Sequence, residues 1–106
     1  MKRRRLILYN IIREQEGIYS VTFEFWEVRE DGFDPVLPFA ITAAKLSGAK
    51  ASIIEAFLEY EISCDDFCAE LCWDGGFTIM AYVKRETEPM LAFEALKSAC
   101  AYINGE

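Results

Sequence analysis

The sequence contains no histidine, and it contains neither lysine nor arginine between Ala51 and Val83. Without histidine, the most common general base for activating a nucleophile is missing. The chain also lacks a phosphate-binding glycine loop and a dinucleotide-binding fingerprint. Neighbouring carboxylates such as Asp65 and Asp66 would diverge on a helix and would not converge on one bond. We therefore expect no catalytic residue and no cofactor, and a protein that binds rather than an enzyme.

Long apolar segments are also missing. The basic residues 2–5 precede a short apolar run, as in a secretion signal, but the run is interrupted at Asn10 and no cleavage site of small residues follows. No segment approaches the roughly 20 apolar residues that span a membrane. We expect a cytoplasmic protein without membrane contact, in which the four cysteines are reduced thiols rather than disulfides.

The composition predicts one acidic domain, residues 1–106, because 53% of the residues are hydrophobic and the length suits a single core. The charge is distributed unevenly. Residues 1–13 carry five bases and no acid, whereas residues 14–106 carry six bases and eighteen acids. An acidic body opposes direct binding of nucleic acid, so we interpret the basic start as a solvated strand end. The alternative is that it contacts nucleic acid or an acidic lipid.

Alternation of residue types predicts the strands. Residues 18–29 alternate between large apolar and polar residues, which is typical of a half-buried strand. The apolar segment 6–13 precedes it, and residues 14–17 would form a four-residue hairpin loop. A later strand is predicted over 77–84, with one apolar face. That face comprises Phe77, Ile79, Ala81 and Val83.

Helical spacing and capping residues predict the remaining elements. The predicted helices are Phe39–Leu46, ended by Ser47-Gly48; Ser52–Tyr60; a third capped by Ser63 and ended by Gly75-Gly76; and a last one from Thr87, with the inner stripe Ala92, Leu96, Ala99, Cys100 and Ile103. The predicted order is β-β-α-α-α-β-α. It defines an α+β fold in which a small antiparallel sheet, the hairpin plus one later strand, packs against three to four helices.

Three cysteines occur at every fourth position, Cys64, Cys68 and Cys72. On a helix, Cys64 and Cys72 would lie about 12 Å apart along the axis. A zinc ion, with Zn–S bonds near 2.3 Å, could not reach both. We therefore expect no metal site and interpret the cysteines as core residues. The inward helical stripe would comprise Cys64, Phe67, Cys68, Leu71 and Cys72.

The acidic block between Ala51 and Val83 is the predicted binding surface. Its seven carboxylates repel one another and attract a basic partner. The third predicted helix would turn Trp73 outward among carboxylates, where tryptophan is a common interface anchor. Alternatively, Trp73 lies past the last turn and folds onto the core. The predicted partner-binding residues are Glu55, Glu59, Glu61, Asp65, Asp66, Glu70, Trp73 and Asp74.

These features predict a small acidic inhibitor that neutralises a basic partner. The favoured form is an immunity protein that blocks a nuclease toxin, because the clefts of nucleases bind phosphates through basic residues. Bacterial immunity proteins against nuclease toxins are similar in size, charge and lack of motifs, although no residue motif assigns the chain to a family. Three alternatives stay open. They are a phage-type DNA mimic, including anti-restriction and anti-CRISPR inhibitors; a self-associating structural module with an apolar patch of Phe23, Phe25, Trp26 or Tyr82; and a cysteine-dependent redox protein.

Overall fold

The structure is a computed structural model that describes residues 4–29, 31–35, 39–71 and 76–103. The elements in chain order are β1 (Arg4–Gln15), β2 (Ile18–Arg29), β3 (Gly32–Pro35), α1 (Phe39–Glu59), β4 (Cys64–Leu71), β5 (Gly76–Val83) and α2 (Pro89–Ile103). Neighbouring strands are all antiparallel, in the order β1-β2-β5-β4, and β3 pairs with the C-terminal end of β2.

The predicted N-terminal hairpin is confirmed, with a tighter turn than the expected four-residue loop. Only Glu16 and Gly17 separate β1 from β2. Gly17 has a φ angle of 74°, a backbone conformation that residues other than glycine rarely adopt. Its carbonyl accepts a hydrogen bond from the N–H of Val83 at 2.8 Å. This bond ties the turn to the end of β5.

The core lies between the sheet and the two helices of the described residues. On β2 the large apolar residues of the alternating pattern are buried, and the apolar face of β5 is buried as predicted. The Phe57 ring of α1 stacks on Phe67 of β4, with centroids 6.2 Å apart. Phe93 of α2 meets Tyr19 of β2 edge-on at 5.5 Å. Both helices therefore cover the same face of the sheet, and the predicted inner stripe of α2 is buried.

The expected number and order of helices are wrong, although the α+β class is supported. The segments predicted as two helices, Phe39–Leu46 and Ser52–Tyr60, form the single helix α1. Ser47 and Gly48 lie on its exposed side, while Ala49 and Ile53 continue the buried stripe. An interior glycine costs a helix only about 1 kcal/mol. Burial of this stripe outweighs that cost, so the helix continues through Gly48.

The third predicted helix is also wrong, because residues 64–71 form strand β4. From Asp66 onwards the residues follow the strand period of two, and the bulge between Cys64 and Asp66 places Cys64 on the helix side of the sheet and Cys68 on the other side. Phe67 and Ala69 face the helices, and Asp66, Cys68 and Glu70 alternate with them on the opposite face. Pairing with β4 satisfies the backbone of β5, which would otherwise be an apolar edge strand.

A ββα unit occurs twice in the fold. β1, β2 and α1 form the first unit, and β4, β5 and α2 form the second. The hairpins of the two units meet at the β2–β5 pairing, where Val21 lies opposite Ile79. Both helices lie on one side of this joint sheet. No element of the described residues covers its other side, which we call the open face.

Candidate binding surfaces

The structure separates the residues that were predicted to form one partner-binding surface. Asp66 and Glu70 lie on the open face of the sheet. Asp65 lies at the β4 bulge and lines a surface depression with Glu16, Tyr82 and Arg85. Glu55, Glu59 and Glu61 are exposed at the end of α1. Trp73 and Asp74 lie outside the described residues, as does Cys72.

The open face consists of the side chains that point away from the helices. Strand register arranges them in rows across the sheet, because directly opposite residues share a face. The rows are Leu6–Trp26, Leu8–Glu24–Gly76, Asn10–Thr22–Thr78–Glu70, Ile12–Ser20–Met80–Cys68 and Ile18–Tyr82–Asp66.

The open face is more apolar than a solvated sheet face usually is. An antiparallel sheet with one covered face normally alternates apolar and polar residues. In β1, however, Ile7 and Ile11 pack towards the core while Leu8 and Ile12 point the other way. Leu8 is 46% exposed and Ile12 is 44% exposed. Contiguous exposed apolar side chains mark interaction surfaces.

Four carboxylates accompany these apolar side chains on the open face. Glu14 accepts a hydrogen bond from the Ser20 hydroxyl at 2.8 Å, and Glu24 accepts one from the Trp26 indole N–H at 3.2 Å. Asp66 and Glu70 complete the set from β4. None of the residues in these five rows is a lysine or arginine. The surface therefore combines apolar area with negative charge.

Sequence reasoning missed Glu14 and Glu24 as members of this surface. The alternation in β2 already separated Glu24 from the buried Phe23 and Phe25, but it did not show that β5 and β4 would extend the same face and bring Asp66 and Glu70 to it. The apolar patch that was predicted for self-association is exposed only in part. Phe23 is fully buried and Phe25 nearly so, whereas Trp26 and Tyr82 lie half-buried on the open face.

The C-terminal end of α1 forms a second acidic region. Ile62 N–H donates to the carbonyl of Phe57 at 2.8 Å, and Glu61 N–H donates to the carbonyl of Leu58 at 3.1 Å. These two bonds form a Schellman motif, in which a left-handed residue ends the helix. That residue is Glu61, with φ 57°, where glycine is usual. The partial negative charge of a helix C-terminus repels negatively charged side chains, so its interaction with the nearby carboxylates of Glu55, Glu59 and Glu61 is unfavourable.

A groove of about 590 Å³ lies between the last turns of α1 and β4. Ile54 and Leu58 line its helical wall, Phe67 lines its strand wall, and Glu61 lies at its border. Leu58 is 72% exposed. An apolar side chain at this exposure, beside further apolar wall residues, gives the groove the character of a docking surface rather than of an interior cavity.

The described cysteines have three different environments. Cys64 is half-buried, and burial raises the pKa of its thiol, although hydrogen bonds with the backbone of Asp66 and Tyr82 oppose this shift. Burial raises the pKa of the Cys100 thiol to about 12. Cys68 is exposed on the open face, so its prediction as a core residue is wrong. Among the described residues no cluster of three or more His, Cys, Asp or Glu could hold a metal ion.

Comparisons of the chain with protein-family models, curated proteins and solved structures give no significant match. In the described part of the chain, neither helix has the length and apolar character needed to cross a membrane.

Proposed function

We propose that this protein binds and neutralises a basic protein, and that its open face is the docking surface. An immunity protein that blocks a nuclease toxin is the kind of inhibitor we favour. Nucleases bind phosphates through Lys and Arg, so an acidic surface complements their clefts. We also propose that the protein is cytoplasmic. Cysteines in the cytoplasm usually stay reduced, and Cys64, Cys68 and Cys100 are free thiols.

The observation that carries this proposal is the pairing of exposed apolar side chains with carboxylates on one uncovered sheet face. Leu8 and Ile12 provide apolar contact area, and Glu24 and Glu70 provide charge. Apolar contacts supply much of the affinity of protein interfaces, while charge complementarity speeds encounter and selects the partner. A basic protein surface with apolar patches matches both features.

The same observation disfavours two alternatives. Two copies of the open face would bring carboxylates together, which opposes self-association through this surface. A DNA mimic must imitate a duplex that carries one charge per about 1.7 Å of its axis. On β4, Asp66 and Glu70 are four positions apart, which corresponds to about 13 Å along a strand. The apolar side chains between the acids also have no counterpart in a phosphate backbone.

The test begins with affinity capture of partners from the source organism and purification of the captured protein. Titration calorimetry then compares the natural protein with the double variant Glu24→Lys, Glu70→Lys. The matched control is Glu88→Lys, Glu94→Lys, which changes two exposed acids near and on α2, away from the open face. Both variants change the net charge equally, so general electrostatic attraction affects them alike.

We expect the open-face variant to lose at least about 2 kcal/mol of binding free energy, roughly 30-fold in Kd. The α2 control should lose much less. The partner should be basic, and if it is a nuclease, one equivalent of the natural protein should block its activity. Equal losses in the two variants would contradict the open face as the docking surface, and an acidic partner would contradict the proposed function.

A further inference from the structure

The free edge of β4 is a second structural feature with binding potential. In the described part of the sheet, β4 is the outermost strand and pairs only with β5. An unpaired strand edge presents backbone donors and acceptors that can pair with another chain. Proteins commonly protect such edges with charged residues, and β4 carries Asp65, Asp66 and Glu70. Protection of the edge would explain the acidic residues of β4, but it would not explain the apolar groove beside the strand.

The amide of Phe67 shows which backbone N–H groups of β4 point away from β5. The amide N–H of Phe67 donates to the carboxylate of Asp66 at 2.7 Å, and not to its partner strand. In an antiparallel ladder, residues alternate between bonding to one neighbour and bonding to the other. The N–H of Ala69, two residues further on, is therefore expected to point to the same free side. A strand added here would pair with Ala69, and at Phe67 it would replace the Asp66 carboxylate as the acceptor of the N–H.

The two faces of β4 determine the side chains that such a strand would need. On the helix side, Phe67 and the groove wall residues Ile54 and Leu58 offer apolar contact. On the open face, Asp66 and Glu70 offer negative charge. Cross-strand neighbours on one face interact directly, and opposite charges stabilise the pair. An added strand would thus place apolar side chains on the groove side and basic side chains on the open face.

We infer that β4 and the groove beside it bind an extended segment of a basic partner, with alternating basic and apolar residues, as an additional strand of the sheet. Backbone pairing with an exposed edge supplies affinity, and alternate side chains supply specificity. The inference rests on the proposed function in one respect, since both require a basic partner. It identifies a different surface, because the open face can bind a partner without strand addition.

The probe is a fluorescein-labelled nonapeptide of alternating lysine and valine, titrated in fluorescence polarisation at low salt. Two peptides serve as controls: alternating glutamate and valine, and a lysine–valine peptide of equal composition in which the lysines form one block. We expect the alternating lysine–valine peptide to bind at least tenfold more tightly than either control. Equal binding of the block peptide would overturn the inference, since nonspecific charge attraction would explain it.

Backbone pairing is tested by N-methylation of the probe, at its valines in one version and at its lysines in another. Only alternate amides of an added strand face β4. One version should therefore lose binding at least tenfold, and the other should bind within about threefold of the parent peptide. Binding that is retained in both versions, or lost in both, would overturn strand addition.

Protein variants locate the site. Leu58→Ala should weaken probe binding at least fivefold, whereas Met90→Ala, which shortens an apolar side chain of α2 with a similar 71% exposure, should not. Ala69→Pro removes an outward N–H and should also weaken binding. Equal effects of Leu58→Ala and Met90→Ala would overturn the location. In sedimentation the protein alone should be a monomer, and a dimer lost in Ala69→Pro would assign the edge to a second copy.

The outcomes separate this inference from the proposed function. If the purified partner binds through Glu24 and Glu70 but the probe does not bind, the edge inference fails and the proposed function stands. If the probe binds at β4 but the captured partner is not basic, the proposed function fails and the edge still accepts basic strands.

Discussion

At the scale of single residues, Gly76 occupies a position where the two central strands come too close for a side chain. A Cβ atom placed there would lie 2.3 Å from the carbonyl oxygen of Phe23 and 3.3 Å from the Cα of Glu24. Both neighbours are backbone atoms of β2, so neither can move without disturbing the β2–β5 ladder.

We predict that Gly76→Ala lowers the free energy of unfolding by roughly 1–3 kcal/mol, as overpacking does in other proteins. Gly48→Ala is the matched control, because nothing lies within 4 Å of a Cβ at that exposed position of α1. It should raise the free energy of unfolding by about 0.5–1 kcal/mol. Urea unfolding followed by circular dichroism measures both. A neutral Gly76→Ala would contradict the close approach of the strands.

Because the Cys100 thiol is buried, we predict that the free energy of unfolding depends on pH in the alkaline range. Burial raises the pKa of this thiol to about 12 from an ordinary value near 9. Between these pH values the unfolded chain releases the proton and the folded protein retains it. The unfolded state is then favoured as pH rises, by up to about 1.4 kcal/mol per pH unit.

Comparison with Cys100→Ala isolates this effect, since the variant has no thiol to ionise at position 100. The natural protein should be the more stable at pH 8, because its side chain fills the core. Its advantage in free energy of unfolding should shrink as pH rises above 9. Denaturation series at pH 8 and pH 10.5 measure the change. A constant advantage would show that the Cys100 thiol ionises as readily in the folded protein as in the unfolded chain.

At the scale of elements, the end of α1 combines two unfavourable features. Glu61 adopts a left-handed conformation, which costs residues other than glycine roughly 1–2 kcal/mol. Its carboxylate also lies at the negative end of the helix dipole. Strained positions that persist in a fold suggest a functional use, and Glu61 borders the groove beside β4.

We predict that Glu61→Gly raises the free energy of unfolding by about 1 kcal/mol and weakens binding of the lysine–valine probe. The control Glu61→Ala removes the same charge but keeps the backbone strain, so it should change stability by less than about 0.5 kcal/mol. Thermal unfolding and probe titration give the two readouts. A gain in stability with undiminished probe binding would leave Glu61 without a role in the groove.

The elements that could be predicted from sequence are those whose pattern has a single interpretation. The alternation in β2 and the stripe of α2, from Ala92 to Ile103, allow no other structure. Residues 64–71 fit a helical period, because Cys64 and Cys68 are spaced by four, and they also fit a strand period, because Phe67 and Ala69 alternate with Asp66, Cys68 and Glu70. Only the need of β5 for a second neighbour decides between them, and that need is not visible in the local sequence.

The surroundings of the candidate site residues could not be predicted for the same reason. A helical wheel gives Asp66 and Glu70 different neighbours from those that cross-strand pairing gives them. The register between β4 and β5 brings Glu70 opposite Thr78, and the next pairing brings Thr22 opposite Thr78. The hydroxyls of these two threonines share a hydrogen bond at 3.1 Å. Long-range register of this kind cannot be derived from local residue patterns.

At the scale of the whole molecule, the two ββα units create a sheet with one covered and one open face. The molecule is elongated, about 49 × 24 × 21 Å, because the β1–β2 hairpin extends past the end of β5. The acids of the open face come from both units, Glu14 and Glu24 from the first and Asp66 and Glu70 from the second. The proposed docking surface therefore exists only when the two units are joined.

The most direct test of the open face as the docking surface is a methyl and indole NMR spectrum of the protein with and without the purified partner. Met80 lies on the open face, and Met90 is exposed on α2, so one sample contains both the reporter and its control. We predict that partner binding shifts or broadens the Met80 methyl and Trp26 indole signals and leaves the Met90 methyl signal unchanged. A shift of Met90 without a shift of Met80 would contradict the account.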